Sequence, residues 1–232
     1  MLALHRTGGG AGGRRMVGDQ RGTALVIAIT LVLLVVAIGA AVAVTSRTET
    51  LIAANFRGSR EMLYAAEGVV ALATRDLDTA PDWNAVLSGA SASSFTDGAS
   101  IGSRTLPGGT QVVLCCGPGS LAADVQLRAY GGRDWGADTP QWQLFAWGPS
   151  AWWLPAGRLQ TPVYVAIWVA DDPEDGDGNP TTDANGRLLL HAQALGGRGG
   201  RRIVEVLVQR PVSTGLPLPR GLRILSWHEV RW

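Results

Sequence analysis

The sequence predicts an α+β chain: a long N-terminal helix, apolar over its first half, followed by a β-rich head built on an antiparallel sheet. Three observations predict it. Ala24–Val44 is a run of 21 residues without a charge, interrupted only by Thr30 and Gly39. Apolar and small residues then recur at steps of four and three from Ile52 to Leu77. Past residue 110, short runs of Val, Ile, Leu and Trp alternate with Gly- and Pro-rich breaks. The chain has 232 residues, enough for the helix and one further domain.

The uncharged run is long enough to cross a bilayer, because ~20 residues at ~1.5 Å rise match a ~30 Å hydrocarbon core. No water in that core can satisfy backbone amides, so a single span is helical. Ile52, Phe56, Ser59, Leu63, Ala66, Val70, Ala73 and Leu77 then form one face with a period near 3.5. No Pro falls between Arg21 and Ala80, and Gly58 and Gly68 are the soft points. Pro81 biases its predecessor away from helix, so the helix ends near Thr79. Arg6, Arg14, Arg15 and Arg21 precede the span, opposed by Asp19 alone. The positive-inside rule therefore places the N-terminus in the cytoplasm and the head outside.

Residues 1–20 are Gly-rich and Arg-bearing, with no apolar period. They read as a leader, and Met16 offers an alternative start. The organisation expected is a leader over 1–22, a transmembrane and stem helix over 23–80, and a head over 81–232. Two other readings of the span stand beside this one. It is a plain anchor, or a secretory signal cut after Ala41-Val42-Ala43, although it exceeds the usual ~7–15-residue signal core.

Residues 88–109 are small, polar and Gly-rich, and read as a surface loop. Strands are expected at Thr110–Leu114, Asp124–Tyr130, Gln141–Trp147, Val163–Val169, Arg187–Ala194, Ile203–Gln209 and Arg223–Trp227. Period-two alternation is clearest at Val125, Leu127, Ala129 and at Val204, Val206, Val208. Gly196–Gly200 reads as a loop joining antiparallel neighbours.

Composition excludes more than it assigns. A formal net charge of +1 gives no nucleic-acid surface. All basic residues are Arg. Nine Trp against three Phe and three Tyr point to packing, with sugar-facing aromatic surfaces as the alternative. Cys115 and Cys116 are adjacent and have no distant partner. An oxidising compartment allows a vicinal or intermolecular bridge; two half-buried thiols at a strand end is the simpler reading. His5, His191 and His228 form no catalytic set, and His191 in its strand reads as a structural histidine. No nucleophile elbow, phosphate loop or zinc-protease helix motif occurs, so an enzyme is not expected.

Residues 171–185 carry six carboxylates, Asp171, Asp172, Glu174, Asp175, Asp177 and Asp183. Asp175, Asp177 and Asn179 have the alternating spacing of a calcium loop, with Asp183 beyond them. Pro180 and the missing closing Glu separate the run from an EF-hand. Clustered carboxylates repel unless a cation neutralises them or water separates them. A solvated acidic turn and a structural Ca²⁺ site are thus both open.

Arg21-Gly22 before the apolar run resembles the basic-glycine site cut by prepilin peptidase, with Thr23 as the new N-terminus. Ala65-Ala66-Glu67 resembles the signature of PilX-type minor pilins of type IV pili. Together these motifs span about 55 residues of the chain. Thr23 stands where pilins usually carry Phe or Met, and Ile27 where major pilins carry Glu, which moves the likeness toward the minor subunits. The resemblance implies a pilin-like fold and a minor pilin in filament initiation or at the tip, possessing an adhesive or aggregating head. It implies other minor and major pilins, prepilin peptidase and the inner-membrane assembly machinery as partners. It also implies passage from the inner membrane to the pilus. A type II secretion pseudopilin and a membrane-anchored surface binding module are the alternatives. Some pseudopilin heads hold Ca²⁺ in acidic loops. Glu67 either faces solvent or pairs with the head.

Overall fold

The computed structural model describes residues 20–106, 108–154, 159, 162–211 and 221–231. The leader residues 1–19, with His5 and Met16, lie outside them. The chain falls into two compact units, Met1–Ala53 and Ala54–Trp232.

Helix α1 runs uninterrupted over Gln20–Thr79. In the first unit its described residues are all helical, and the side chains from Leu25 to Val44 are exposed. Its most apolar stretch reaches a mean hydropathy of 3.1, long and apolar enough to cross a membrane. In the second unit Ala65, Ala66, Val69, Val70, Ala73 and Leu77 of α1 are fully or almost fully buried. The expected buried face thus begins later than Ile52. Phe56 stays 63% exposed, and the buried stripe is set by small residues that let the helix approach a sheet closely.

Asp82 caps the short helix α2, Trp83–Leu87, by accepting the Asn84 amide. Trp83 donates its indole N–H to the Leu77 carbonyl, and Arg210 stacks 4.0 Å from the indole centroid. This seals the end of α1. The 88–109 segment is largely exposed, as expected of a surface loop, but it is anchored and carries a short strand. Asp76 accepts hydrogen bonds from the Ser93 and Ser94 hydroxyls and the Ser94 amide, Phe95 is buried, and β1, Ser103–Thr105, pairs with β2, Gln111–Val113.

Asp124–Tyr130 is a correction. The segment is helix α3, Leu121–Arg128, followed by a 3-10 turn. Ser120 caps it through the Ala123 amide, and Asp124 pairs with Arg128 one turn on. Val125 is fully buried whereas Leu127 is 71% exposed, so their apparent alternation has no sheet face behind it. The second correction is Cys115 and Cys116, which are joined to each other just past β2 rather than standing as free thiols.

The main sheet is an antiparallel meander: β3 Gln143–Pro149, β4 Tyr164–Asp171, β5 Arg187–Leu195, β6 Arg201–Gln209 and β7 Arg223–Val230, in that spatial order. Gly196–Gly200 joins β5 to β6 as expected. One face, including Val165, Ile167, Leu190 and Val206, packs on α1 and α2. The other, including Trp168, Ala170 and Leu189, packs on α3 and the 106–142 segment. Covering both faces explains why β4 is buried at every position.

Candidate functional site: the acidic β4–β5 loop

The loop between β4 and β5 carries the acidic run, and its turns are built by Asx hydrogen bonds. Asp172 accepts the Glu174 amide, Asp175 the Asp177 amide and Asp177 the Asn179 amide. These local bonds fold the loop back on itself. Asp175 also accepts the Ala184 amide at 3.1 Å, closing the loop's two arms together.

The structure brings Asp175 and Asp177 together and adds a residue that spacing does not reveal. Asp138, in the 3-10 turn Gly136–Asp138 before β3, accepts the Gly178 amide at 2.6 Å. One carboxylate oxygen from each of Asp138, Asp175 and Asp177 lies within 4.8 Å of the others. Asp183 is outside this group. Asn179 Oδ1 accepts the Thr181 amide and hydroxyl, and its Nδ2 donates to Thr182. Asp183 Oδ1 accepts the Gly186 and Arg187 amides, while its own amide donates to Asn84 on α2.

Beneath the loop, Asp171 ends β4 and is 3% exposed. Its Oδ1 has no hydrogen-bond donor. Burial first, then the charge of Asp175, pushes the carboxyl up to about 8, with Asp183 and Asp177 adding to this and the Asp172 amide opposing it. Burial also raises Asp183, against the Gly186 and Arg187 amides. Asp172, equally buried, is held differently, with Arg187 3.6 Å away and Asn185 donating to it.

The remaining sequence-singled residues are dispersed. Gly22 and Thr23 lie in the first turn of α1. Ala65 and Ala66 are fully buried against the sheet, and Glu67 is half-buried. Among the described residues the Glu67 side chain has no ion-pair or hydrogen-bond partner. His191 is structural, buried between Glu205 and Gln193. Trp83, Trp142, Trp147 and Trp168 are core residues, whereas Trp152 and Trp227 are exposed. No family model, curated protein or solved structure matches the chain.

Proposed function

We propose that this chain is a minor pilin of a type IV pilus, non-catalytic, cut between Gly22 and Thr23 and assembled from the inner membrane into a filament. The observation that carries the reading is α1 itself. One helix holds an exposed apolar half over Ala24–Val44 and, after Ser59, a small-residue stripe buried under a sheet. Such a helix is stored in lipid and later buried among neighbouring helices, so assembly exchanges one apolar surrounding for another. Arg21-Gly22 and Ala65-Ala66-Glu67 supply the resemblance. Ile27, fifth after the cut, has no carboxylate to pair with a neighbour's N-terminal amine. A subunit without that pairing suits initiation, at the tip with other minor pilins, better than repeated addition along the shaft.

N-terminal sequencing of the protein from membranes tests the reading. Thr23 as the first residue, with N-methylation, supports it, and an intact leader overturns it. Gly22→Ala should leave the precursor uncut, because the peptidase needs close backbone access there. A pseudopilin of a type II secretion system shares the cleavage and differs in its location. Labelled antibody on sheared filaments separates the two: staining at filament ends is expected, and dense staining along the shaft contradicts the tip position.

A further inference from the structure

We infer that the cleft between α3 and the segment leading into β3 is a binding site for one neutral sugar ring. Tyr130, Trp135 and Trp142 line it, together with Gln126, Arg133 and Asp134. Its volume is about 170 Å³. Drug-sized ligands fill ~300–1,000 Å³, so this cleft suits a single ring. The Tyr130 and Trp135 rings stand 6.1 Å apart at 31°, so aromatic surface converges there.

The lining is fixed before any ligand enters. Gln126 Nε2 donates to the Pro140 carbonyl at 2.8 Å, and its Oε1 accepts the Trp142 amide at 3.0 Å. These two bonds join α3 to the approach of β3. Thr139 Oγ1 accepts the Trp135 amide and donates to Asp134 Oδ1. Tyr130 has φ 54°, a left-handed backbone that a bulky side chain seldom adopts. Its amide donates to the buried Glu205 carboxylate at 2.9 Å, which holds it there. A lining ordered in advance lowers the cost of binding.

Two of the lining residues have an indole N–H without an acceptor. Trp135 Nε1 is out of solvent contact and has no partner. Trp142 is only 8% exposed, and its Nε1 also has none among the described residues. A buried indole N–H ordinarily finds an acceptor, and a ligand oxygen in the cleft is the partner these two lack. Two charged groups border them. The Arg133 guanidinium lies 4.1 Å from the Trp135 ring centroid and is in no ion pair among the described residues. Asp134 gives Oδ1 to the Gly136 amide and the Thr139 hydroxyl, which leaves Oδ2 as an acceptor.

This set of groups selects the ligand. An apolar molecule would leave the indole N–H groups unpaired. A cation is disfavoured because Arg133 already occupies the Trp135 ring. An anion would meet Asp134 beside Arg133, and the charges of Asp172, Glu174 and Glu205 also act on Tyr130. A neutral ring with an apolar face and a rim of hydroxyls fits all of them. Its C–H groups lie against aromatic surface, and its hydroxyls both accept from the indoles and Arg133 and donate to Asp134. The cleft lies wholly within the Ala54–Trp232 unit, so this inference stands independently of cleavage at Gly22.

The test uses the full chain in a detergent that carries no sugar headgroup, with tryptophan fluorescence as the readout. The probes are glucose, galactose, mannose and N-acetylglucosamine, each free and as the terminal ring of a trisaccharide. Saturable binding of at least one probe is expected. Saturation by the free sugar assigns the ring alone, and saturation by the trisaccharide only assigns the end of a glycan; both uphold the site. Trp135→Phe keeps the aromatic ring and removes the N–H, and should weaken binding about threefold to tenfold. Arg133→Ala, at an exposed position, should weaken it similarly and replaces Trp135→Phe if that variant does not fold. Trp227→Phe, on β7 and outside the cleft, should leave affinity unchanged. No saturable change with any of the probes overturns the proposal. So does unaltered affinity in the folded cleft variant.

Discussion

His191 Nδ1 stands 2.9 Å from Glu205 Oε1, on neighbouring strands beneath the α3 layer, with the imidazole fully buried. Trp142 and Trp168 lie edge-on to the ring, at centroid distances of 5.6 and 6.0 Å. Glu205 also accepts the Tyr130 amide, and His228 on β7 approaches its other oxygen at 3.2 Å. Burial drives the His191 pKa down and outweighs the Glu205 bond that raises it. Burial drives Glu205 up, but the His191 bond and the Tyr130 amide outweigh it, so its net direction is down.

Both folded values lie below the ordinary ones, so the unfolded chain takes up these protons first. Stability should therefore fall as pH drops below the ordinary histidine value of 6.5, and fall again below the ordinary carboxyl value of 4.5. Glu205→Ala removes the acceptor of the His191 and Tyr130 bonds and should cost about 3 kcal/mol. Urea denaturation across this pH range measures both effects. A flat profile in the native chain would refute the assignment.

The Cys115–Cys116 bridge predicts an intact mass short by two hydrogens. Alkylation without reductant should add nothing, and alkylation after reduction should add two groups. Its closed loop contains no intervening residue, so the chain-entropy contribution is small. Reduction should shift stability by less than about 1 kcal/mol, read as an almost unchanged melting temperature.

A fragment beginning at Leu51 should fold alone and melt cooperatively. Its core, formed by the buried stripe of α1 and both sheet faces, lies wholly within the Ala54–Trp232 unit. Size-exclusion chromatography and a thermal melt decide it, and aggregation or a broad transition would count against a self-sufficient core.

What the sequence disclosed follows from how local each signal is. The uncharged run and the Ala66–Val70–Ala73–Leu77 spacing are periodic, and α1 ends within a residue of where Pro81 implies. β4 to β7 were legible because apolar runs alternate with Gly and Asp turns. α3 was not, because Val125, Leu127 and Ala129 imitate period two. The truer signs were Ser120 as a cap and the Asp124–Arg128 spacing. Asp138 and Glu205 gave no local sign at all: each gains its meaning from a residue on another element. Sequence spacing finds Asp175 with Asp177, but only the tertiary fold adds Asp138 and leaves Asp183 outside the group, its Oδ1 taken by the Gly186 and Arg187 amides.

Asp171 offers a test of the buried carboxyl alone. Burial, then the charge of Asp175, pushes its folded value up to about 8, above the ordinary 3.8, so the unfolded chain releases this proton first as pH rises. The stability held by the protonated group should therefore be lost progressively between about pH 4 and about pH 8. Asp171→Asn, which cannot ionise, should flatten that part of the profile. Thermal melts of both proteins across this range decide it, and identical profiles would show that Asp171 does not titrate there.

Gly68 of α1 faces the Trp153 ring. A methyl group built on Gly68 would overlap the six-membered ring of Trp153. That ring is itself set edge-on to Phe95, with centroids 6.4 Å apart. Two effects of Gly68→Ala then oppose each other. Helix propensity favours Ala over Gly by about 1 kcal/mol. Overpacking against an aromatic ring costs about 1–3 kcal/mol. The steric effect should win, and the substitution should lower stability by up to about 2 kcal/mol although it lies in a helix. The sign should reverse in a Trp153→Leu background, where the ring is gone and only the propensity gain remains. Urea denaturation of the native chain, the two single variants and the double variant completes the cycle. Additive effects would mean that Trp153 does not pack on Gly68. The glycine beside Ala65-Ala66-Glu67 would then be a soft point in the helix, as its sequence alone suggests, rather than a contact.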